Sequence, residues 1–200
     1  MGRYAEYKDS GLEWIGEIPA HWKKHRIKMN YKIVSGNGFP IELQGMNDGE
    51  LPVCKASDIS LAKKNISTAV NFISCKVAKE NSFNIIPSGS IIFAKIGEAM
   101  KKNNRAICLV ECCLDNNCQA LIPNNIDTAY SYYLLSCIDM AWFDNAGTIP
   151  CINNQKLANY SIPYPPCNEQ QTIAKYLDAQ TDTIETSIAN LQIQLSISFL

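Results

Sequence analysis

Lys95, Lys101, Lys102 and Arg105 fall within eleven residues, opposed by Glu98 alone, with Asn103 and Asn104 between them. Cationic groups beside short amides can neutralise phosphates and hydrogen-bond the edges of nucleobases. A second polar stretch, residues 36–50, offers Asn37, Gln44 and Asn47 among glycines. The net charge of −1 nonetheless argues against a free-standing, nonspecific nucleic-acid binder.

The other reactive residue types suggest less. Nine cysteines occur: Cys54, Cys75, Cys108, Cys112, Cys113, Cys118, Cys137, Cys151 and Cys167. The number is odd and no Cys-x-x-Cys is present, so neither a disulfide framework nor a thiol redox motif is indicated. Cys108, Cys112, Cys113 and Cys118 are close enough in sequence to invite a zinc reading. Their alternation with Ile, Leu and Val favours reduced thiols packed as small hydrophobes. His21 and His25 stand four apart without an Asp or Cys at ligand spacing, which reads as a solvated helix face. No metal is expected.

Catalytic signatures are missing. No glycine-rich phosphate loop occurs. Tyr164-Pro-Pro-Cys167 lacks the leading Asn or Asp and the trailing aromatic of the amino-methyltransferase motif. Glu6-Tyr-Lys8 is isolated near one terminus, and both histidines lie in the opening segment, far from any credible nucleophile. The chain is expected to be non-catalytic and to hold no cofactor of its own.

The elements that would position these residues are legible in outline. Residues 3–30 lack periodicity and read as an irregular opening anchored by Trp14, Ile15, Ile18, Pro19 and Trp22. Residues 36–50 read as an exposed loop, and 51–59 begin with a short strand. Residues 83–95 read as strand, Pro-Ser-Gly turn and strand. Residues 97–105 read as a basic loop, and 106–113 and 119–123 as strands. Residues 128–144, with apolar groups at three-four spacing, read as one amphipathic helix capped by Asp127 or Thr128. Residues 147–154 read as a loop and 155–161 as a connector. The fold class is α+β.

Pro163, Pro165 and Pro166 then stop the body, and Asn168 with Gln171 has the arrangement of a capping box. No Gly or Pro follows up to Leu200. Leu177, Thr181, Ile184, Ile188, Leu191 and Leu195 form a heptad seam, which requires a partner helix. Such a helix would reach about 50 Å. The chain therefore divides into a body, 1–166, and a dimerisation arm, 167–200. No apolar run reaches membrane-spanning length, and the first residues lack a signal-peptide core. Met1-Gly2 suggests myristoylation, but Glu6 stands where Ser or Thr is wanted. A cytoplasmic location is expected.

Six segments in order are similar to one known family. Tyr7-Lys-Asp-Ser-Gly-Leu-Glu-Trp-Ile-Gly-Glu-Ile-Pro-Ala-His-Trp22 resembles the opening of specificity subunits of type I restriction-modification systems. Leu51-Pro-Val-Cys-Lys-Ala-Ser-Asp-Ile59 and Ile86-Pro-Ser-Gly-Ser-Ile-Ile-Phe-Ala-Lys-Ile-Gly97 are similar to later strands of that family. Asn116-Asn-Cys-Gln119, Gly147-Thr-Ile-Pro-Cys-Ile-Asn153 and Ile162-Pro-Tyr-Pro-Pro-Cys-Asn-Glu-Gln-Gln171 match further landmarks.

The resemblance implies a target recognition domain that reads half of a split sequence in double-stranded DNA, followed by a spacer helix. It implies a DNA methyltransferase (modification) subunit as partner, carrying the S-adenosylmethionine site, and a restriction/translocase subunit beside it. The assembled complex would be a DNA adenine methyltransferase and endonuclease. Family members normally carry two recognition domains and two spacer helices, whereas one of each is present here. A half-length subunit that pairs with a second copy, or with another specificity half, and a piece of a longer subunit both fit. DNA contact is expected from Lys95, Lys101, Lys102, Asn103, Asn104 and Arg105, with Asn37 and Gln44 from the earlier loop; Lys101 and Lys102 would meet phosphates and Arg105 a guanine edge. The rival reading is a coiled-coil adaptor that never touches DNA.

Overall fold

The structure, a computed structural model, describes residues 4–198. Met1, Gly2 and the last two residues of the expected arm lie outside the described residues. The chain runs β1 (Tyr7–Asp9), β2 (Glu17–Pro19), β3 (Lys23–Arg26), α1 (Ile27–Asn30), β4 (Tyr31–Ser35), β5 (Leu51–Cys54) and α2 (Ala56–Leu61). It continues through β6 (Asn65–Ile66), β7 (Asn71–Ile73), α3 (Cys75–Glu80), β8 (Ile91–Ala94), α4 (Gly97–Lys101) and β9 (Arg105–Cys108). β10 (Cys113–Leu114), β11 (Cys118–Pro123), α5 (Thr128–Ser136), α6 (Asn154–Asn159), β12 (Ser161–Tyr164) and α7 (Cys167–Ser198) complete it. The α+β architecture with a long C-terminal helix agrees with the sequence reading.

A five-stranded sheet, ordered β4-β11-β8-β9-β6, organises the body. Successive side chains of a strand point to opposite faces, and here both faces are covered. Ile91, Phe93, Ile107 and Leu121 face one core with Tyr130, Leu134 and Leu135 of α5. Ile92, Ala106, Cys108, Cys118 and Ala120 face the other, with Ile59 of α2, Cys54 and Cys112. The buried cysteines thus sit as small apolar groups in strand alternation. All nine are free thiols, and the described residues hold no cluster suited to a metal ion. A third core lies under a small sheet ordered β10-β5-β7.

Several local expectations need correction. The opening is not irregular: β1 and β2 form an antiparallel hairpin, and β3 pairs with β12. Strands of three or four residues are too short to show a period. His21 and His25 therefore do not share a helix face, since His25 lies on β3 and stacks on Tyr164 with centroids 4.0 Å apart. Residues 97–105 are not a loop. Gly97 at φ +69° admits the turn into α4, Met100 buries that helix, and Arg105 opens β9.

The helix expected over 128–144 stops at Ser136, and Asp139 caps a separate 3-10 turn, Met140–Phe143. The Asp127 carboxylate caps α5, accepting from Tyr130 N at 2.8 Å. The connector at 155–161 holds α6, whose first amides donate to Asn153 Oδ1, and the start of β12. α7 begins one residue before the expected cap. The Pro166 carbonyl accepts from the amides of Glu169 and Gln170, so Asn168 lies inside the first turn.

Candidate nucleic-acid interface

β4 and β8 both run antiparallel to β11 and so parallel to each other. Their ends, Ser35 and Ala94, pair with Gln119 and Cys118. The segments leaving them therefore emerge from one end of the sheet. β9 enters from this same end, because Arg105 pairs with Phe93. The β10–β11 turn sits between them: Gly36 N donates to Cys118 O and Lys95 N to Asn117 O. Only glycine fits at position 36, where a Cβ would lie 1.9 Å from the Asp115 carbonyl oxygen. The 147–153 loop joins the group, since Ile152 N donates to Lys95 O and Gln119 Nε2 to Asn154 Oδ1 at 2.9 Å. Four polar segments far apart in sequence thus meet at one edge.

The individual side chains differ sharply. Arg105 is 4% exposed. Its guanidinium donates to Leu135 O, to Ile138 O at 3.1 Å and to Asn103 O. Leu135 O lies in the last turn of α5, where the helix dipole favours a cation. Burial pulls its pKa down to about 10, which still leaves a cation at neutral pH. The expectation that Arg105 reads a base edge is thereby corrected, because its donors are spent on the α5 terminus.

Asn103 sits at φ +58° and is similarly used, accepting from Met140 N at 3.0 Å and donating to Ile138 O. Asn37 accepts from Asn84 N at 2.8 Å and donates to Ser82 O. Lys101 pairs with Glu98 at 2.7 Å, and Asn104 bonds Ser60 at 3.2 Å. Gln44 is solvent-facing and accepts from Lys55 at 3.2 Å. Lys95 at the edge and exposed Lys102 make no ion pair among the described residues. Exposed Asn116 and Asn117 of the turn join this edge through topology, and composition alone did not single them out as contacts.

The other candidate surface is α7. Its root is fastened to the body. Fully buried Gln170 accepts from Asp127 N and donates to Pro165 O, both at 2.8 Å. Glu169 accepts from Tyr4 Oη and Trp22 Nε1 and contacts His21 Nε2 at 2.6 Å. Burial opposes its ionisation, yet the bonds from Trp22, His21 and Tyr4 prevail and hold its carboxyl below the usual value. More than two turns on, Asp178 is bound by Lys64 Nζ and by Tyr133 Oη, and Lys63 reaches Glu185 at 3.0 Å.

Leu177 is half-buried and lines, with Trp14, Trp22 and Trp142, an apolar groove of about 560 Å³, and Thr181 is half-buried near Lys64. These two seam positions face the body. Ile184, Ile188, Leu191 and Leu195 are each at least half exposed.

The family described as the type I restriction modification DNA specificity domain matches residues 19–195. The chain belongs to that family. Members similar to it include the Type I restriction enzyme MjaIX specificity subunit of Methanocaldococcus jannaschii, 28% identical over 190 residues, which span 90% of this chain and 42% of that one. The EcoR124I/EcoR124II specificity subunit of Escherichia coli is 27% identical over 192 residues, 91% of this chain and 44% of that subunit. The chain thus spans less than half the length of these family members.

Solved structures share the fold. The HsdS subunit from Thermoanaerobacter tengcongensis superposes with a TM-score of 0.65 at 18% identity, covering 90% of this chain and 41% of that one. The type I system S subunit from M. genitalium gives 0.58 at 17% identity over 83% and 40%. Among the described residues no helix is long and apolar enough to cross a membrane.

Proposed function

We propose that this specificity domain reads one half of a bipartite sequence in double-stranded DNA and docks a DNA methyltransferase subunit, which supplies S-adenosylmethionine and the chemistry. The observation that carries this reading is the convergence of residues 36–50, 95–104, 115–117 and 147–153 at one end of the sheet. A group of polar connecting segments on a rigid scaffold suits base recognition, since connections vary while the sheet holds them. Exposed Lys102, Asn116, Asn117 and Gln44, with half-buried Lys95 and Asn104, are the readout set. Lys101 joins them only when it leaves Glu98.

In this reading residues 1–166 are the recognition unit, and 167–200 are the spacer that pairs antiparallel with a second copy or another specificity half. Ile184, Ile188 and Leu191 support it, as an apolar stripe on an otherwise polar helix. The catalytic and translocating activities belong to the partner subunits. The test is co-expression with the neighbouring methyltransferase subunit and long-read mapping of methylated adenines. Replacing Lys95, Lys102 and Asn104 by Ala should erase or change the motif while the complex still assembles. A complex that binds no duplex, or methylates without sequence preference, overturns the reading in favour of an adaptor.

A further inference from the structure

The net charge of −1 conceals a strong asymmetry. Residues 20–41 contain Lys23, Lys24, Arg26, Lys28 and Lys32 and no Asp or Glu, so all nineteen acidic residues and the other thirteen Lys and Arg lie outside this stretch. β3 contributes the core of it. Lys23, Lys24 and Arg26 are exposed, as are Lys28 on α1 and Lys32 on β4. None of the five takes part in an ion pair among the described residues. The sheet-end loops are poorer in free cations, because Arg105 is buried and Lys101 is tied to Glu98.

The surroundings hold β3 rigidly. Its ladder to β12 pairs Lys23 with Tyr164 and Arg26 with Ser161. His25 is fixed between them, stacked on Tyr164 and bonded to Asn30 Oδ1 at 2.7 Å. β12 leads within three residues into α7, and Trp22, next to Lys23, donates to Glu169 in the first turn of that helix. The basic strand therefore lies at the root of the long helix. Four strand residues cover about 13 Å, while a duplex presents a phosphate every ~3.4 Å of axis on each strand.

We infer that Lys24 and Arg26, which share one face of β3, together with neighbouring Lys23 and Lys28, form a second DNA site that contacts duplex phosphates without regard to sequence at the root of α7. This rests on the proposed DNA-reading role and adds to it where nonspecific affinity comes from. Unpaired cations on a short two-stranded ribbon supply charge at fixed spacing, as backbone positioning requires. The same strand holds no Asn, Gln, Ser or Thr.

The test is a Lys23→Gln/Lys24→Gln/Arg26→Gln variant assembled with the methyltransferase subunit, with binding measured on cognate and non-cognate duplexes across salt. Each lost phosphate contact should lower the slope of log K against log salt by about 0.9, so a fall of about 2–3 is expected, equal on both duplexes. The methylated motif should stay the same. An unchanged slope on both duplexes overturns the inference, and so does failure of the variant to assemble while its circular dichroism stays native, which would assign the strand to a protein partner. If the wild-type complex shows no cognate preference at all, the recognition reading fails instead. A preserved preference with an unchanged slope removes only the phosphate site.

Discussion

At the residue scale, Arg105 shows how far identity is from role. A guanidinium beside lysines and asparagines invites base readout, but here it fastens the end of α5. Arg105→Ala should remove the buried charge-assisted bonds to the carbonyls of Asn103, Leu135 and Ile138, a loss of about 2–4 kcal/mol in urea unfolding. A variant that keeps full stability but loses one base of the target motif would restore the readout role. The cysteines give a second residue-scale prediction. Cys54, Cys108, Cys112, Cys113 and Cys118 are buried, whereas Cys75, Cys137 and Cys167 are exposed. Burial also pushes the Cys113 thiol up to about 12. Native labelling by a thiol reagent should modify Cys75 and Cys167 first, and the buried five only on unfolding. Rapid native reaction at Cys112 or Cys118 contradicts this packing.

At the element scale, α7 has two different halves. Its first three turns are committed to the body through Gln170, Ala174, Leu177 and Asp178, and the apolar stripe beyond is open to solvent. Replacing Ile188 and Leu191 by Asp should abolish helix-mediated association without lowering the melting temperature of the body, because charges in a dry seam are costly. Sedimentation still showing the assembled mass rules the seam out. The root is sensitive to acid. Burial of Asp178 opposes its ionisation, but the hydrogen bonds from Lys64 and Tyr133 outweigh it, so its carboxyl titrates below the usual range. The stability this supplies is present above the ordinary carboxylate pKa and is lost as pH falls through the lowered one. Both partners are partly exposed, so the contribution is under ~1 kcal/mol. Asp178→Asn should flatten the decline in melting temperature between roughly pH 5 and 3. An unaltered acid limb shows that the contact contributes nothing.

At the scale of the whole molecule, two copies paired through α7 must obey two-fold symmetry, so their recognition units would read identical half-sites in inverted orientation. Methylation mapping should return an interrupted palindrome, with a gap set by a helix of about 48 Å. An asymmetric bipartite motif shows instead that a different recognition unit stands opposite. The sequence by itself determined the family, the α+β class, the long terminal helix and the apolar stripe on it. Those signals are local or ordered along the chain: prolines before a glycine-free run, heptad spacing, six landmarks in order. It also marked the thiols as core residues, because alternation with Ile and Val is visible in one strand. The tertiary structure decided which end of the sheet gathers the polar segments, since that depends on β4, β11 and β8 pairing across more than eighty residues. It took Arg105, Asn103 and Asn37 out of solvent-facing roles, because their partners at Leu135, Met140 and Asn84 come from other elements. It also turned Leu177 and Thr181 toward the body, which a seam read on one helix could not reveal, since helical periodicity tells which residues share a face but not what covers it.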